Sequence, residues 1–147
     1  MKIELTGANE VLAELKTRQA KIEAGLATAV QLAAQDVRNE CVRTIQTGSR
    51  TGKIYTRNGR KHQASAEGEP PKTDTGRLVN SLAFRMLGKL TAVAGAIAGN
   101  SIVAEYAAAL EFGTRKMAAR PFLVKAVEKI TPRFRDRVQK AVEDAGK

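Results

Sequence analysis

The sequence predicts an α+β fold, in which a long N-terminal helix and a C-terminal helix pack on a small antiparallel sheet and a β-hairpin projects from the body. Apolar residues recur at helical spacing through residues 10–46. Alternating apolar side chains in residues 82–98 indicate two paired strands. Residues 49–72 contain Asn-Gly between two extended runs, which is typical of a hairpin turn. At 147 residues, the chain suits a single domain.

The N-terminal region predicts a short strand followed by the long helix. Residues 2–6 alternate polar and apolar side chains, as expected of a strand. Asn9 is the residue expected to cap the helix, because its side chain can accept a hydrogen bond from a free backbone N–H. Thr47 and Gly48 supply the expected stop.

This helix is long for so small a chain. Over residues 10–46 it would span roughly 55 Å, which exceeds the diameter of a small domain. We therefore expect either a bend at Gly25 or one end that reaches beyond the protomer. Cys41 falls on the apolar stripe, so we interpret it as a core residue rather than a reactive thiol.

Residues 49–72 are rich in glycine and basic side chains and predict a projecting, flexible hairpin arm. Asn58 and Gly59 separate its two extended runs, since a type I′ turn needs positive φ at both positions. The arm has too few apolar residues for a core of its own, so we expect it to be mobile until a partner covers it. The candidate subunit-interaction residues are Lys53, Ile54, Tyr55, Arg57, Arg60, Lys61 and His62.

The second half of the chain predicts a central hairpin. Residues 82–87 and 90–98 are the expected strands, and Gly88-Lys89 fits a two-residue turn with glycine in the first central position. Gly95 and the alternating alanines around it leave room for a helix to approach the sheet closely.

Two helices are expected after this hairpin. A short one over residues 105–112 should end at Gly113. Pro121 suits the first helical position of the last helix. Within that helix, Thr131-Pro132 should either produce a kink or restart the helix, with Thr131 as the cap.

Asp74, Thr75 and Gly76 form a tripeptide that also occurs in dimeric aspartic proteases, where two carboxylates share a proton. In those enzymes the tripeptide follows an apolar strand, whereas here prolines and a lysine precede it closely. Thr73 and Asp74 are ordinary capping residues. We therefore expect one of them to cap a short helix around residues 76–81, and we expect no proteolytic role.

The chain has few residues that could support catalysis or bind a metal. Its one cysteine and its one histidine, His62, cannot supply the ligands of a usual zinc site. No cluster of glycines precedes a helix in the manner of a phosphate-binding loop. His62 is also the only possible base of a Ser-His-Asp arrangement, and we expect nothing on the exposed hairpin to orient it. We predict a protein that is not an enzyme and that uses no metal and no cofactor.

The chain is strongly basic, with 25 Lys and Arg against 15 Asp and Glu, a formal net charge of +10. This balance suits contact with nucleic acid or with an acidic protein surface. The basic residues are spread along the chain, however, and a solvated surface explains them equally well.

No apolar run approaches the ~20 residues that span a bilayer, and residues 1–7 lack the apolar stretch of a signal peptide. We expect the protein to fold in a cytoplasm, away from membranes.

Seven short motifs follow one another in a distinctive order. They are Gly52-Lys53-Ile54-Tyr55, His62-Gln63-Ala64-Ser65, Gly68-Glu69-Pro70-Pro71, Asp74-Thr75-Gly76-Arg77-Leu78, Tyr106-Ala107, Glu111-Phe112-Gly113-Thr114 and Ala119-Arg120-Pro121-Phe122-Leu123. In order and spacing, over nearly the whole chain, they resemble the gene-product-ten-like tail-component family of long-tailed HK-type bacteriophages.

The resemblance implies a tail-completion or head–tail joining protein of the virion, without catalytic residues. Such a subunit would form a ring, expected to contain six copies, and would contact other phage neck and tail proteins. DNA passing through the lumen could touch it non-specifically. The motif residues expected to matter structurally are Asp74, Thr75, Gly76, Glu111, Phe112, Gly113, Arg120, Pro121 and Phe122. The alternative is an accessory protein that binds nucleic acid non-specifically, which would explain the charge.

Overall fold

Two long helices and two small antiparallel sheets make up the computed structural model, which describes residues 7–97 and 101–146. The α+β prediction is confirmed, although the strands form two separate hairpins. The predicted strand at residues 2–6 lies outside the described residues. In chain order the elements are α1 (Ala8–Thr47), β1 (Ile54–Arg57), β2 (Arg60–Gln63), α2 (Arg77–Ser81), β3 (Leu82–Gly88), β4 (Thr91–Ala96), α3 (Ser101–Phe112) and α4 (Leu123–Asp144).

Helices α1 and α4 run antiparallel and pack against each other. Near one end a Cβ on Gly25 would lie 2.8 Å from the Cβ of Ala141, so glycine permits a close approach there. Further along, the Asp36 carboxylate lies 2.8 Å from the Arg137 guanidinium. Gly25 thus serves helix packing, and α1 continues through it as one helix. No helix in the described part of the chain has both the length and the apolar character needed to cross a membrane.

The first turns of α1 extend past the end of α4. Residues 7–20 are all exposed. Gly146, the last described residue, lies beside Arg18 of α1, so the described part of the C-terminal region ends level with Arg18. The helix length led us to expect either a bend at Gly25 or an end that reaches beyond the body, and the structure shows the second, at the N-terminal end of α1. This leaves Val11, Leu12 and Leu15 in solvent, each more than half exposed.

The core lies where α1, the β3–β4 hairpin, α3 and the start of α4 meet. Cys41 is completely buried there, which confirms it as a core residue. Burial raises the pKa of its thiol to about 12, and the carboxylates of Glu111 and Glu40 add to the rise. The other buried members are Val37, Ile45, Leu78, Leu82, Ala107, Leu110, Phe122, Ala126 and Ile130.

Two predicted helix caps are wrong. Helix α1 begins after Gly7, which has a φ of +89°, so Asn9 lies inside the helix. Helix α2 begins after Gly76, with a φ of +75° and no side-chain cap, so neither Thr73 nor Asp74 caps it. In both places a glycine in the left-handed region makes the entry, because it reaches that conformation without a steric penalty.

The turn of the second hairpin lies one residue later than predicted. Gly88 pairs with Thr91, so Lys89 and Leu90 form the turn. An irregularity in register between Met86 and Gly88 accounts for the shift, because a bulge adds one residue to a strand without a partner opposite it. The return strand therefore begins at Thr91 rather than at residue 90 and ends at Ala96; residue 98, its predicted end, lies outside the described residues.

The last two helices also differ from the prediction at their starts. Helix α3 begins at Ser101, four residues before its predicted start at residue 105, and it ends before Gly113 as expected. Pro121 precedes α4 rather than opening it, and Phe122 is the cap position. The helix continues through Pro132 without a restart, and the Thr131 hydroxyl donates to the Val127 carbonyl within the same helix rather than capping a new one.

Glu40 joins the two long helices through charge. Its carboxylate accepts hydrogen bonds from Arg43 on α1 and from Lys129 on α4, the latter at 2.9 Å. Arg43 is the larger cause that lowers the pKa of Glu40 to about 2, partial burial opposes it, and Lys129 lowers the pKa further.

We expect Glu40→Gln to lower the free energy of unfolding at pH 7 by about 1 kcal/mol, since both cations are more than half exposed and screened by solvent. Because the folded pKa lies below the ordinary value of 4.5, this contribution is present above pH 4.5 and is lost as the pH falls toward 2. Denaturant unfolding of the variant and the wild type at several pH values measures it. Exposed Glu128→Gln is the control, and a difference that persists at pH 2 would contradict the assignment.

Candidate interaction site at the hairpin end of the molecule

Glu111 connects α3 to the start of α4. Its side chain is buried, and its carboxylate accepts three backbone N–H hydrogen bonds, each at 2.9 Å, from Phe122, Leu123 and Val124. The first turn of a helix has free N–H groups and a positive dipole end, so a carboxylate stabilises it. Glu111 therefore caps α4 from a different helix and joins the Glu111 motif to the Phe122 motif.

The loop between these motifs is held in one conformation. Gly113 has a φ of +76°, and a Cβ there would lie 2.9 Å from the Ala119 nitrogen. The Arg120 N–H donates to the Leu110 carbonyl at 2.7 Å. A side chain at position 113 would be strained and would collide with the backbone, so this glycine is needed for the loop to return to α3.

Phe112 and Phe122 have opposite environments although both belong to the predicted structural motifs. Phe122 is 2% exposed and belongs to the core, whereas Phe112 is 79% exposed. Burying a phenylalanine side chain contributes roughly 1.5–3 kcal/mol. Phe112 does not make that contribution within the described part of the protomer, and its side chain is accessible beside the Glu111 cap.

The arm hairpin has the predicted turn. Asn58 and Gly59 both have positive φ, at 51° and 73°. Backbone bonds extend the pairing below the strands, because the Gly52 N–H donates to the Ala64 carbonyl at 2.9 Å. Beyond the hairpin, the Lys125 ammonium donates to the Gly68 carbonyl at 2.8 Å. The base of the arm is thus attached to the body, and the mobility of its tip stays a prediction.

His62 contacts both a carboxylate and an aromatic ring. Its Nδ1 lies 3.1 Å from an Asp74 oxygen, and its ring stacks on Tyr55 with centroids 5.8 Å apart. The expectation that nothing orients His62 is therefore wrong. The sequence missed the pairing because Asp74 lies on a separate loop, and only the folded hairpin brings it to the histidine.

A cavity of about 430 Å³ lies between the hairpin, α2 and α3. Its cationic lining residues are Arg50, Lys72, Arg77 and Arg120, and Asp74 is its carboxylate. Its apolar wall includes Leu78, Ile102, Val103, Tyr106 and Leu110. The volume is in the range of sites that bind small molecules or short peptide segments.

Two buried polar atoms at this cavity have no hydrogen-bond partner among the described residues. They are the hydroxyl of Ser65, which is 2% exposed, and the Nε of Arg120. An unsatisfied buried donor costs roughly 1–3 kcal/mol. Because the Ser65 hydroxyl makes no hydrogen bond with His62, these residues do not form a nucleophile–base pair as they stand.

We call the cavity between the hairpin, α2 and α3, together with its lining residues, the cationic cavity.

The structure divides the predicted site residues into two groups. Tyr55 and His62 line the cationic cavity together with Asp74, Thr75 and Gly76. The remaining arm residues with described side chains point into solvent, and Arg57 ends β1. Those exposed arm residues are Lys53, Ile54, Arg60 and Lys61. Arg50, Ser65 and Tyr106 were missed as site residues, because a residue that lines a cavity only after folding leaves no periodic signal in the sequence.

Comparison with protein-family models, curated proteins and solved structures finds no match. Within residues 7–97 and 101–146, no group of three His, Cys, Asp or Glu side chains is placed to hold a metal ion. The cationic cavity offers a concave basic surface with apolar walls and two hydrogen-bond donors that have no partner among the described residues, which suits the binding of an anionic group.

We expect Glu111→Ala to lower the free energy of unfolding by about 2–3 kcal/mol, because it removes a cap and leaves buried N–H groups without acceptors. The neighbouring Phe112→Ala is the matched control and should change stability by less than about 0.5 kcal/mol, since its side chain is exposed. Thermal and denaturant unfolding of both variants makes the comparison. Equal losses in the two variants would show that the cap does not have this role.

Proposed function

We propose that the chain is a structural subunit of a bacteriophage neck or tail, a tail-completion or head–tail joining protein that assembles into a ring in the virion. The order of its motifs supports this family. The observation that carries the proposal is the amount of large apolar surface left exposed by a protomer with a small core. The exposed side chains include Val11, Leu12, Leu15, Ile54, Ile102, Tyr106 and Phe112.

The seven side chains named above form two groups. One group lies on the first turns of α1, and the other lies on the hairpin and α3, two elements that line the cationic cavity. Monomeric soluble proteins seldom leave extended apolar patches in water, and such patches mark interfaces. Two different patches on one protomer suit heterologous, head-to-tail contacts, which give a closed ring when the rotation between copies closes.

The arm would add contacts to other neck and tail proteins or to a neighbouring copy. Its strands have free edges and basic side chains, which allow pairing by strand addition or by charge. If the arm is mobile in the free protomer, the entropic cost of ordering it is offset only when a partner surface is present, which would disfavour ring formation before assembly. DNA in the lumen could meet the same basic residues without sequence preference.

The second candidate is a nucleic-acid-binding accessory protein, which the net charge of +10 favours. Such binding weakens steeply as salt rises, because counterions are released on binding. It requires neither exposed apolar surface nor self-association, so the two candidates differ in what they predict for mass.

We expect the purified protein at high concentration to have a mass that is a multiple of 15.8 kDa, with six copies as the expected number. Light scattering coupled to size-exclusion chromatography measures the mass, and negative-stain microscopy shows whether the particle is a ring. The same preparation is titrated with duplex DNA at several salt concentrations. A monomeric mass at every concentration, combined with salt-sensitive DNA binding, would replace the proposed function with the second candidate.

A further inference from the structure

We infer that the first turns of α1 in one copy of the chain dock on the cationic cavity of a second copy, an inference that rests on the proposed ring-forming function. We call residues 8–15 the helix tip. The tip is the acidic and apolar partner, and the cavity is the basic and apolar partner of the same contact.

The helix tip presents an apolar stripe flanked by negative charge. Val11 and Leu15 lie one turn apart, at helical spacing from the half-buried Ile22 and from Gly25, which packs against Ala141 of α4. Glu10 and Glu14 lie one turn apart beside this stripe, and residues 8–15 contain no cation. The tip therefore combines two carboxylates with apolar side chains that have no cover within the described protomer.

The cationic cavity offers the complementary chemistry. Arg50 and Arg77 are exposed at its lining, and an arginine guanidinium can bind a carboxylate through two parallel hydrogen bonds. A carboxylate that enters the cavity could also accept hydrogen bonds from the Ser65 hydroxyl and the Arg120 Nε, which have no acceptor among residues 7–97 and 101–146. Ile102 is 69% exposed beside the cavity and would cover part of the apolar stripe.

A protomer cannot fill its own cavity with its own tip. The cavity lies at the C-terminal end of α1, because the Thr73 N–H at its lining donates to the Ile45 carbonyl. Glu14 is about 31 residues before Ile45 on one continuous helix, which separates the two by roughly 46 Å. The partner must therefore be another molecule, and a second copy has the required tip.

The cavity suits a protein segment better than nucleic acid. A space of about 430 Å³ can take single side chains, such as a carboxylate of the tip, but neither a whole helix nor a DNA duplex, so the tip would lie across its mouth. Its apolar wall, which includes Leu78 and Tyr106, would find no apolar counterpart on a phosphate backbone. Each copy would donate one tip and accept another, so the contact is head-to-tail and leaves no unpaired end once the ring closes.

Charge reversal on the two sides tests the contact. Variant one carries Glu10→Lys and Glu14→Lys, and variant two carries Arg50→Glu and Arg77→Glu. All four positions are exposed, so both variants should fold, which circular dichroism and thermal unfolding check. Each variant alone should lose assembly, with the dissociation constant raised at least about tenfold by the like charges that meet. An equimolar mixture should regain the wild-type mass, because each tip then meets a cavity of opposite charge.

The control variant carries Glu67→Lys and Glu128→Lys, which changes the net charge as much as variant one but lies outside the contact. It should assemble like the wild type. If the wild type is oligomeric and both charge-reversal variants keep its mass, this inference is wrong and the proposed function stands. A monomeric wild type would overturn both. If variant two instead loses DNA binding while the wild-type mass is unchanged by either variant, the cavity binds phosphate and the inference fails.

Discussion

The carboxylate of Glu111 is the constraint on which the hairpin end of the molecule depends. It satisfies three N–H groups at the start of α4, and it does so from the last turn of α3. Phe122 is carried into the core beside Cys41 by the same connection. Because the cap is buried, losing it would release the loop that brings Arg120 to the cavity. The cap therefore joins the stability of the protomer to the shape of its candidate binding surface.

The long helix pair supplies the frame for that end. Small residues allow α1 and α4 to approach closely at Gly25 and Ala141, and ion pairs such as Glu40–Lys129 secure them further along. Small side chains remove little apolar area from water, so such a pair stabilises the protomer modestly. A protomer with a modest core and exposed apolar side chains would gain stability if copies associated, since binding to the folded state shifts the folding equilibrium toward it.

The helix tip and the cationic cavity, the two exposed regions, are built from different numbers of elements. The tip of α1 is a single amphipathic helix surface, whereas the cationic cavity is assembled from the hairpin, α2 and α3. The cavity depends on tertiary contacts such as His62–Asp74, which joins the arm to the loop before α2. A contact between copies would therefore meet a surface that is already joined to the body at His62 and Asp74.

The sequence by itself determined the α+β class, the long helix, the Asn58-Gly59 hairpin and the burial of Cys41, because periodicity and turn chemistry are local. It did not determine the helix starts. Glycines in the left-handed region replaced the caps expected for α1 and α2, and a carboxylate from another helix caps α4, for which no cap was predicted. Tertiary structure alone decided that Glu111 caps α4 and that His62 meets Asp74. Both contacts join residues that are distant along the chain, and no local pattern encodes which acceptor a buried donor will find.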